Sequence, residues 1–130
     1  MATYLGTTIN ESPTISLEAG ADIQKAQGKA VIISGGYAVP ATAGANAIGI
    51  IPLSADEEIK KGSDVTVQVK DIGAWVAGEK IVVGDELTSD ASGFAVKAAA
   101  GNFITAVALT AAAEAGTIIR VQLIKAGYKA

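Results

Sequence analysis

Apolar and polar residues alternate along two short stretches of the chain, residues 65–69 and 119–123, and this alternation predicts β-strands. Both stretches are rich in β-branched side chains, which favour the extended conformation of a strand. Each follows a glycine by three positions, as is typical of a turn that leads into a strand. Helix is scarce, because residues 54–61 and 110–116 are long enough only for loops or single helical turns. The pattern therefore predicts an all-β fold.

A glycine pair separates two further apolar stretches, residues 29–34 and Tyr37–Pro40. Gly35 and Gly36 lie between them, and glycine readily adopts the positive φ angles that a tight hairpin turn requires. Later in the chain, residues 89–93 read Ser-Asp-Ala-Ser-Gly, which is the composition of a second turn. The sequence thus predicts two β-hairpins.

The sequence around these two turns is repeated. Gly36-Tyr-Ala-Val-Pro-Ala and Gly93-Phe-Ala-Val-Lys-Ala stand 57 positions apart, and neighbouring blocks keep the same order at nearly the same offset. Chance similarity in a chain rich in Ala, Gly and Val is the alternative, but conserved order across four blocks favours an internal duplication. We therefore expect Tyr37 and Phe94 to occupy equivalent positions over the core.

The duplication predicts the architecture. Its two copies cover residues 19–70 and 77–125, and residues 71–75 join them as an extra strand. Two such three-stranded halves predict a small antiparallel β-barrel or sandwich. Residues 19–130 then form a single β domain, preceded by an extended N-terminal arm of residues 1–18.

The arm has two interpretations. Its Thr- and Ser-rich sequence with isolated apolar residues suits an extended segment. It is either a frayed terminus or an arm that pairs with another chain, where backbone hydrogen bonds give affinity and alternate side chains fill pockets. The apolar side chains that would anchor such an arm are Tyr4, Leu5, Ile9, Ile15 and Leu17.

Composition limits the chemistry that the chain offers. It has no Cys and no His, which removes thiol catalysis, zinc–thiolate sites and the usual neutral-pH acid and base. The Gly20–Ala30 segment contains Gly-Lys but lacks the spacing and the Ser or Thr of a phosphate-binding loop. We expect no enzymatic activity, no catalytic residue, no metal, no cofactor and no small-molecule substrate.

The charge and the apolar runs limit the partners. A net charge of −3 with scattered Lys and Arg gives no basic stripe for nucleic acid. Apolar runs fall far short of the roughly 20 residues that span a bilayer, and no secretory signal is visible. We therefore expect synthesis in a cytoplasm, without membrane or nucleic acid as partner.

Small side chains make up much of the apolar content. The 130 residues include 26 alanines, and the chain has one Trp, three Tyr and two Phe. Small residues bury little area each, so we expect a thin core that gains from association with other chains. Trp75 is interpreted first as a core residue and second as an interface anchor, a role in which Trp is enriched.

The repeated blocks resemble the capsid cement, or head decoration, proteins of bacteriophages. The resemblance rests on Tyr-Ala-Val-Pro-Ala-Thr-Ala-Gly, Ala-Ile-Gly-Ile, Val-Thr-Val-Gln-Val and the closing Thr-Ile-Ile-Arg-Val-Gln-Leu, and it covers residues 20–125. It implies a β-rich subunit on the outer surface of the virion head, commonly a homotrimer, that binds the major capsid protein and stiffens the shell. The N-terminal arm would then pair with strands of the capsid protein.

A binding module is the competing interpretation. A carbohydrate- or receptor-binding piece of a phage tail or fibre would need exposed aromatic side chains, and Trp75 with Tyr37 or Tyr128 is the visible source of them.

Overall fold

The computed structural model describes residues 10–130, and that part of the chain contains twelve β-strands and no helix. Every pair of named strands is antiparallel. The prediction of an all-β fold is confirmed. Ten of the strands form two five-stranded sheets in a sandwich-like arrangement that does not close into a barrel, so the barrel alternative is wrong and the sandwich alternative holds.

The first sheet has five strands in the order β1-β7-β5-β3-β4. The short strands β2 and β6 pair separately beside it. The strands of this half are β1 (Thr14–Glu18), β2 (Ile23–Gln24), β3 (Ala30–Ser34), β4 (Tyr37–Pro40), β5 (Gly49–Ile50), β6 (Glu58–Ile59) and β7 (Asp64–Gln68).

The second sheet also has five strands, in the order β10-β9-β11-β12-β8. Its longest strand, β12, lies between β11 and β8. The strands of this half are β8 (Ile72–Val76), β9 (Glu86–Ser89), β10 (Ala95–Lys97), β11 (Phe103–Ala108) and β12 (Ile118–Tyr128).

The two sheets have the same topology. Read from the opposite end, the second order is β8-β12-β11-β9-β10, which corresponds strand by strand to β1-β7-β5-β3-β4. A small detail is repeated as well: a parallel bridge joins Ala19 to Ala38 in the first half, and another joins Ala77 to Ala95 in the second. Equivalent backbone contacts in both halves are the structural counterpart of the repeated sequence.

Both predicted hairpins are present. Ser34 pairs with Tyr37 across the first turn, and Gly35 and Gly36 have φ angles of 60° and 88°. Two consecutive positive φ angles match the right-handed twist of the flanking strands, which is why a glycine pair suits this loop. In the second hairpin the Asp90 carboxylate accepts hydrogen bonds from the backbone N–H groups of Ser92 and Phe94, at 2.8 and 3.0 Å.

The structure places residues 71–75 differently from the sequence interpretation. Ile72–Val76 forms β8, the counterpart of β1, rather than a strand that merely joins two halves. Residues 14–18 likewise form β1 within the first sheet, through five residue pairs with β7. Each half therefore begins one strand earlier than the repeated sequence blocks indicate. Each half also contributes five strands to its sheet rather than three.

The core has two parts that share the first sheet. One cluster lies within the first half and includes Val31 and Val65. The other fills the second half and also receives Ala30 and Ile50 from the first sheet. Adjacent residues of β3 thus face different clusters, as the two-residue period of a strand requires. Eight of the fourteen buried residues in the second cluster are alanines, so the halves approach each other closely.

We predict that Gly49→Ala destabilises the fold strongly. A Cβ atom at Gly49 would lie 2.1 Å from the carbonyl oxygen of Gln68 and 2.8 Å from Cγ1 of Val67, so β5 and β7 would have to separate. Overpacking of this kind costs about 3 kcal/mol. Urea unfolding followed by the fluorescence of the single Trp measures the change. Gly101→Ala is the matched control, because its Cβ would meet nothing within 4 Å and only the positive φ is strained. Equal losses for both variants would contradict the prediction.

Candidate interaction surface

Strand β1 forms an open edge of the first sheet. The residues that flank β1, Pro13 and Ala19, are odd-numbered and bond to the residues that flank β7. Val69 N–H donates to the carbonyl of Pro13 at 3.1 Å, and Ala19 N–H donates to that of Ser63 at 2.8 Å. Because backbone groups alternate between the two sides of a strand, the N–H and C=O groups of the even-numbered residues point away from β7. Thr14 and Ser16 form the open part of this edge, whereas Glu18, at its end, adjoins β4 through the parallel bridge between Ala19 and Ala38; all three residues are exposed.

The side chains of β1 alternate in the perpendicular direction. Leu17 is half-buried and packs against the core of the first half. Ile15 lies on the same face, two residues earlier, and its side chain is 38% exposed. The apolar side chains of β1 are therefore less buried toward its N-terminal end. An exposed apolar side chain beside unpaired backbone groups is the surface that an added strand from another chain uses.

The segment before β1 is attached to the second half. The Asp71 carboxylate accepts hydrogen bonds from the N–H groups of Glu11 and Ser12 at 2.9 and 3.1 Å. In return, Ile72 N–H donates to the side-chain oxygen of Asn10 at 2.9 Å. These bonds hold residues 10–12 against the start of β8. The position and direction in which the chain enters β1 are thereby fixed.

A groove of about 660 Å³ opens beside Asn10. Leu53 and Ile118 supply exposed apolar surface to it, and Arg120 adds a positive charge. Ala74 of β8 also lines the groove. Its neighbours Ile72 and Val76 point their N–H groups away from β12, so by alternation the backbone groups of Ala74 face the groove.

The predicted arm residues divide into two groups. Ile15 and Leu17 belong to β1 and pair with Val67 and Val65 of the same chain, so they are strand residues of the folded domain. The other three, Tyr4, Leu5 and Ile9, lie outside the described residues. Sequence reasoning missed Asp71 and Asn10, since a single Asp or Asn in a loop carries no signal until its partner 60 residues away is known.

Trp75 is a core residue, and its interpretation as an interface anchor is wrong. Its side chain has no exposed surface. The indole N–H donates to the carbonyl of Gly93 at 2.9 Å, which satisfies its one polar group inside the core. A side chain without accessible atoms in the subunit has nothing to present to a partner. Trp75 therefore cannot serve as an exposed aromatic side chain in the carbohydrate- or receptor-binding interpretation.

The other aromatic residues lie at the surface. Tyr37 is 46% exposed, and Phe94 is half-buried. A Cβ atom added at Gly20 would touch Tyr37, and one added at Gly78 would touch Phe94, so the two rings stand at equivalent positions as predicted. They border the fold rather than cover its core. Tyr128 is 67% exposed and lies against Phe103, with ring centroids 4.2 Å apart.

Lys29 joins the two halves near this surface. Its ammonium donates to the carbonyl of Gln24 at 2.7 Å and lies 5.2 Å from the centre of the Phe94 ring. Burial lowers the pKa of Lys29 below its ordinary value of 10.5, the charge of Asp90 raises it, and the charge of Lys25 lowers it further. A cation over an aromatic face is a stabilising arrangement, and here it spans from one half to the other.

Two further features are absent among residues 10–130. In that range no three acidic side chains converge to hold a metal ion. The same residues contain no helix that could cross a membrane.

By its geometry, this is a β-sheet protein with an open strand edge, a feature that pairs with other chains. The sequence matches the phage cement protein family over residues 9–123. The chain belongs to that family, which confirms the resemblance noted from the repeated blocks and makes it a capsid-associated component of a virion. No curated protein matches the chain.

A solved structure from a phage head has a similar fold. It is the N base of head fiber gp8.5 of bacteriophage phi29, and the superposition has a TM-score of 0.65. The match covers 91% of this chain and 98% of that chain, at 17% sequence identity. At this identity the likeness shows the fold alone.

We predict that the stability penalty of Lys29 disappears at high pH. Because the folded pKa is lower than the unfolded pKa, the unfolded state holds more protons between the two values, so stability rises with pH there. Lys29→Met removes this titration. From about pH 7 to about pH 10, the unfolding free energy of the original protein should therefore rise relative to that of the variant. Urea unfolding at both pH values tests this, and a constant or falling difference would contradict it.

Proposed function

We propose that the protein is a head decoration protein that binds the outer surface of an assembled capsid and stabilises it without enzymatic activity. It reaches the virion after synthesis in the host cytoplasm. The observation that carries the proposal is the open edge of β1 at Thr14 and Ser16, which lies close to the N-terminal residues and is exposed. Membership of the cement protein family supports the same assignment.

The mechanism is strand addition to the major capsid protein. The backbone groups of Thr14 and Ser16 offer two donors and two acceptors in the geometry of a ladder. A net hydrogen bond contributes about 1 kcal/mol, so this short edge by itself gives weak binding. Residues 1–9 would extend the contact, with Tyr4, Leu5 and Ile9 filling pockets on the capsid.

Trimer formation would convert weak contacts into firm attachment. When one arm of a homotrimer is bound, the other two find their sites at a high effective concentration, and avidity rises by several orders of magnitude. The alanine-rich core supports this assignment, because a subunit with little buried area of its own gains from association.

Deletion of residues 1–9 tests the arm. The truncated protein retains every strand pair and both core clusters described above, so we expect it to keep its melting temperature and its oligomeric state. Its binding to undecorated heads should fall at least about tenfold per arm, which corresponds to about 1.4 kcal/mol. Co-sedimentation with heads measures the loss. Full binding by the truncated protein would rule out the arm.

Substitution of Ser16 tests the strand edge. Ser16→Pro removes one N–H that points away from β7, so the internal ladder keeps its hydrogen bonds. We expect weaker binding to heads with little change in unfolding free energy. Ser16→Ala keeps the N–H and should bind like the original protein. Normal binding by the proline variant would exclude the edge of β1 from the contact.

A further inference from the structure

Two hydrogen bonds connect a loop of the first half to the second half. Val76 N–H donates to the carbonyl of Gly28 at 3.0 Å, and Ala30 N–H donates to that of Gly93 at 2.8 Å. The contact is close, because a Cβ atom at Gly28 would lie 2.8 Å from Cγ2 of Val76. Residues 26–30 thus dock on the edge of β8 and on the second hairpin.

The second half contains the same loop. Lys29 N–H bonds to the carbonyl of Ala26, and Asp85 N–H bonds to that of Val82 in the same way. Three residue pairs fix the correspondence of the two loops, namely Ala26 with Val82, Gly28 with Gly84 and Ala30 with Glu86. Matching hydrogen bonds support the last two pairs. The N–H of Gly28 donates to the carbonyl of Ile51, as the N–H of Gly84 does to that of Ala108. The carbonyl of Ala30 accepts from the N–H of Ala41, as the carbonyl of Glu86 does from that of Ala98. We call residues 82–86 the docking loop.

The first half contains a counterpart of the surface on which residues 26–30 dock. The bridges at Ala19 and Ala77 align Glu18 with Val76, and the two hairpins align Gly36 with Gly93. We call residues 18–20 and 36–37 the receiving face. It is the counterpart of the surface on which residues 26–30 dock.

The hydrogen bonds that would join the docking loop to the receiving face are absent among residues 10–130. The counterparts of the two hydrogen bonds would run from Glu18 N–H to the carbonyl of Gly84 and from Glu86 N–H to that of Gly36. None of these four groups makes such a bond in the described part of the chain. Exposure differs accordingly: Gly28 is buried, whereas Gly84 is exposed.

The two surfaces are also matched in chemistry. Val82 and Val83 of the docking loop are 56% and 59% exposed. On the receiving face, Tyr37 presents an aromatic ring that is 46% exposed. Aliphatic side chains packed on a tyrosine ring bury apolar area from both partners, which gives the contact a driving force beyond its hydrogen bonds.

We propose that the docking loop of one copy binds the receiving face of a second copy, and that this contact repeats between chains the contact that joins the halves within a chain. This inference deepens the proposed function, because it names the surfaces through which copies of the decoration protein associate. It rests on the proposed function for the expectation that the copies associate. The contact is heterologous, since a loop on one copy meets a different surface on the next. Such contacts close into rings when the rotation permits.

The arrangement of the halves explains why the contact requires another chain. If a two-fold axis related the halves, each loop would dock on the other half and both pairs of surfaces would be used at once. Here one pair is used and the other is open. Every copy therefore presents one docking loop and one receiving face to two different neighbours.

Paired cysteines test the contact, because the chain has no Cys of its own. Gly28→Cys with Val76→Cys is the matched control, and it should form a disulfide within one chain. Glu18→Cys with Gly84→Cys, the counterpart pair, should instead form disulfides between chains. After mild oxidation, non-reducing electrophoresis should give bands above the dimer for the second pair and monomer for the first. Either cysteine alone should give at most a dimer.

A charge variant supplies an independent measurement. Val82→Asp adds a negative charge to the docking loop, and Glu18 already places one on the receiving face, so we expect loss of the oligomer in light scattering. Ile118→Asp changes an equally exposed residue, 55% against 56%, outside both surfaces, and should keep the oligomer. Monomer bands for the Glu18 and Gly84 pair, or an oligomer that survives Val82→Asp, would overturn the inference.

Binding to heads separates this inference from the proposed function. Cross-linked rings that do not bind heads would leave the contact between copies standing and reject the capsid role. Heads bound by a protein that gives no bands above monomer would reject the contact alone.

Discussion

The backbone hydrogen bonds at strand edges govern the organisation of this molecule. Each half is a sheet with two edges, and a sheet edge carries N–H and C=O groups that require partners. The edge of β8 obtains them within the chain, from Asn10 at one end and from Gly28 at the other. The equivalent edge of β1 has no such partners among residues 10–130. The two otherwise similar halves therefore differ in the edge that they leave open.

Small side chains allow the halves to be this similar and still pack together. Trp75 lies in a core cluster in which eight of the fourteen buried residues are alanines, among them Ala30 and Ala47 of the first half. The Trp75 indole reaches the carbonyl of Gly93, which also accepts a hydrogen bond from Ala30. One carbonyl thus ties a strand of the first half to the core of the second. The fold relies on close backbone contact more than on bulky side chains.

Local features of the fold and the internal repeat could be predicted from the sequence, whereas the pairing of the first strand of each half could not. The Gly35–Gly36 turn and the alternating strand at residues 65–69 are encoded by neighbouring residues, so pattern and propensity identified both. By contrast, the sequences of β1 and β8, Thr-Ile-Ser-Leu-Glu and Ile-Gly-Ala-Trp-Val, share no pattern. Their equivalence depends on pairing with β7 and β12, which lie about 50 residues further on.

The attachment of residues 10–12 to Asp71 has a mechanical consequence. A pull on the chain at Asn10 is borne first by the hydrogen bonds to Asp71 and Ile72, and only afterwards by the ladder of β1. Tension that arrives from the N-terminal side is therefore divided between both sheets instead of peeling one edge strand from its neighbour. In the attachment proposed above, pressure inside the shell would load both sheets of the subunit rather than its weakest strand.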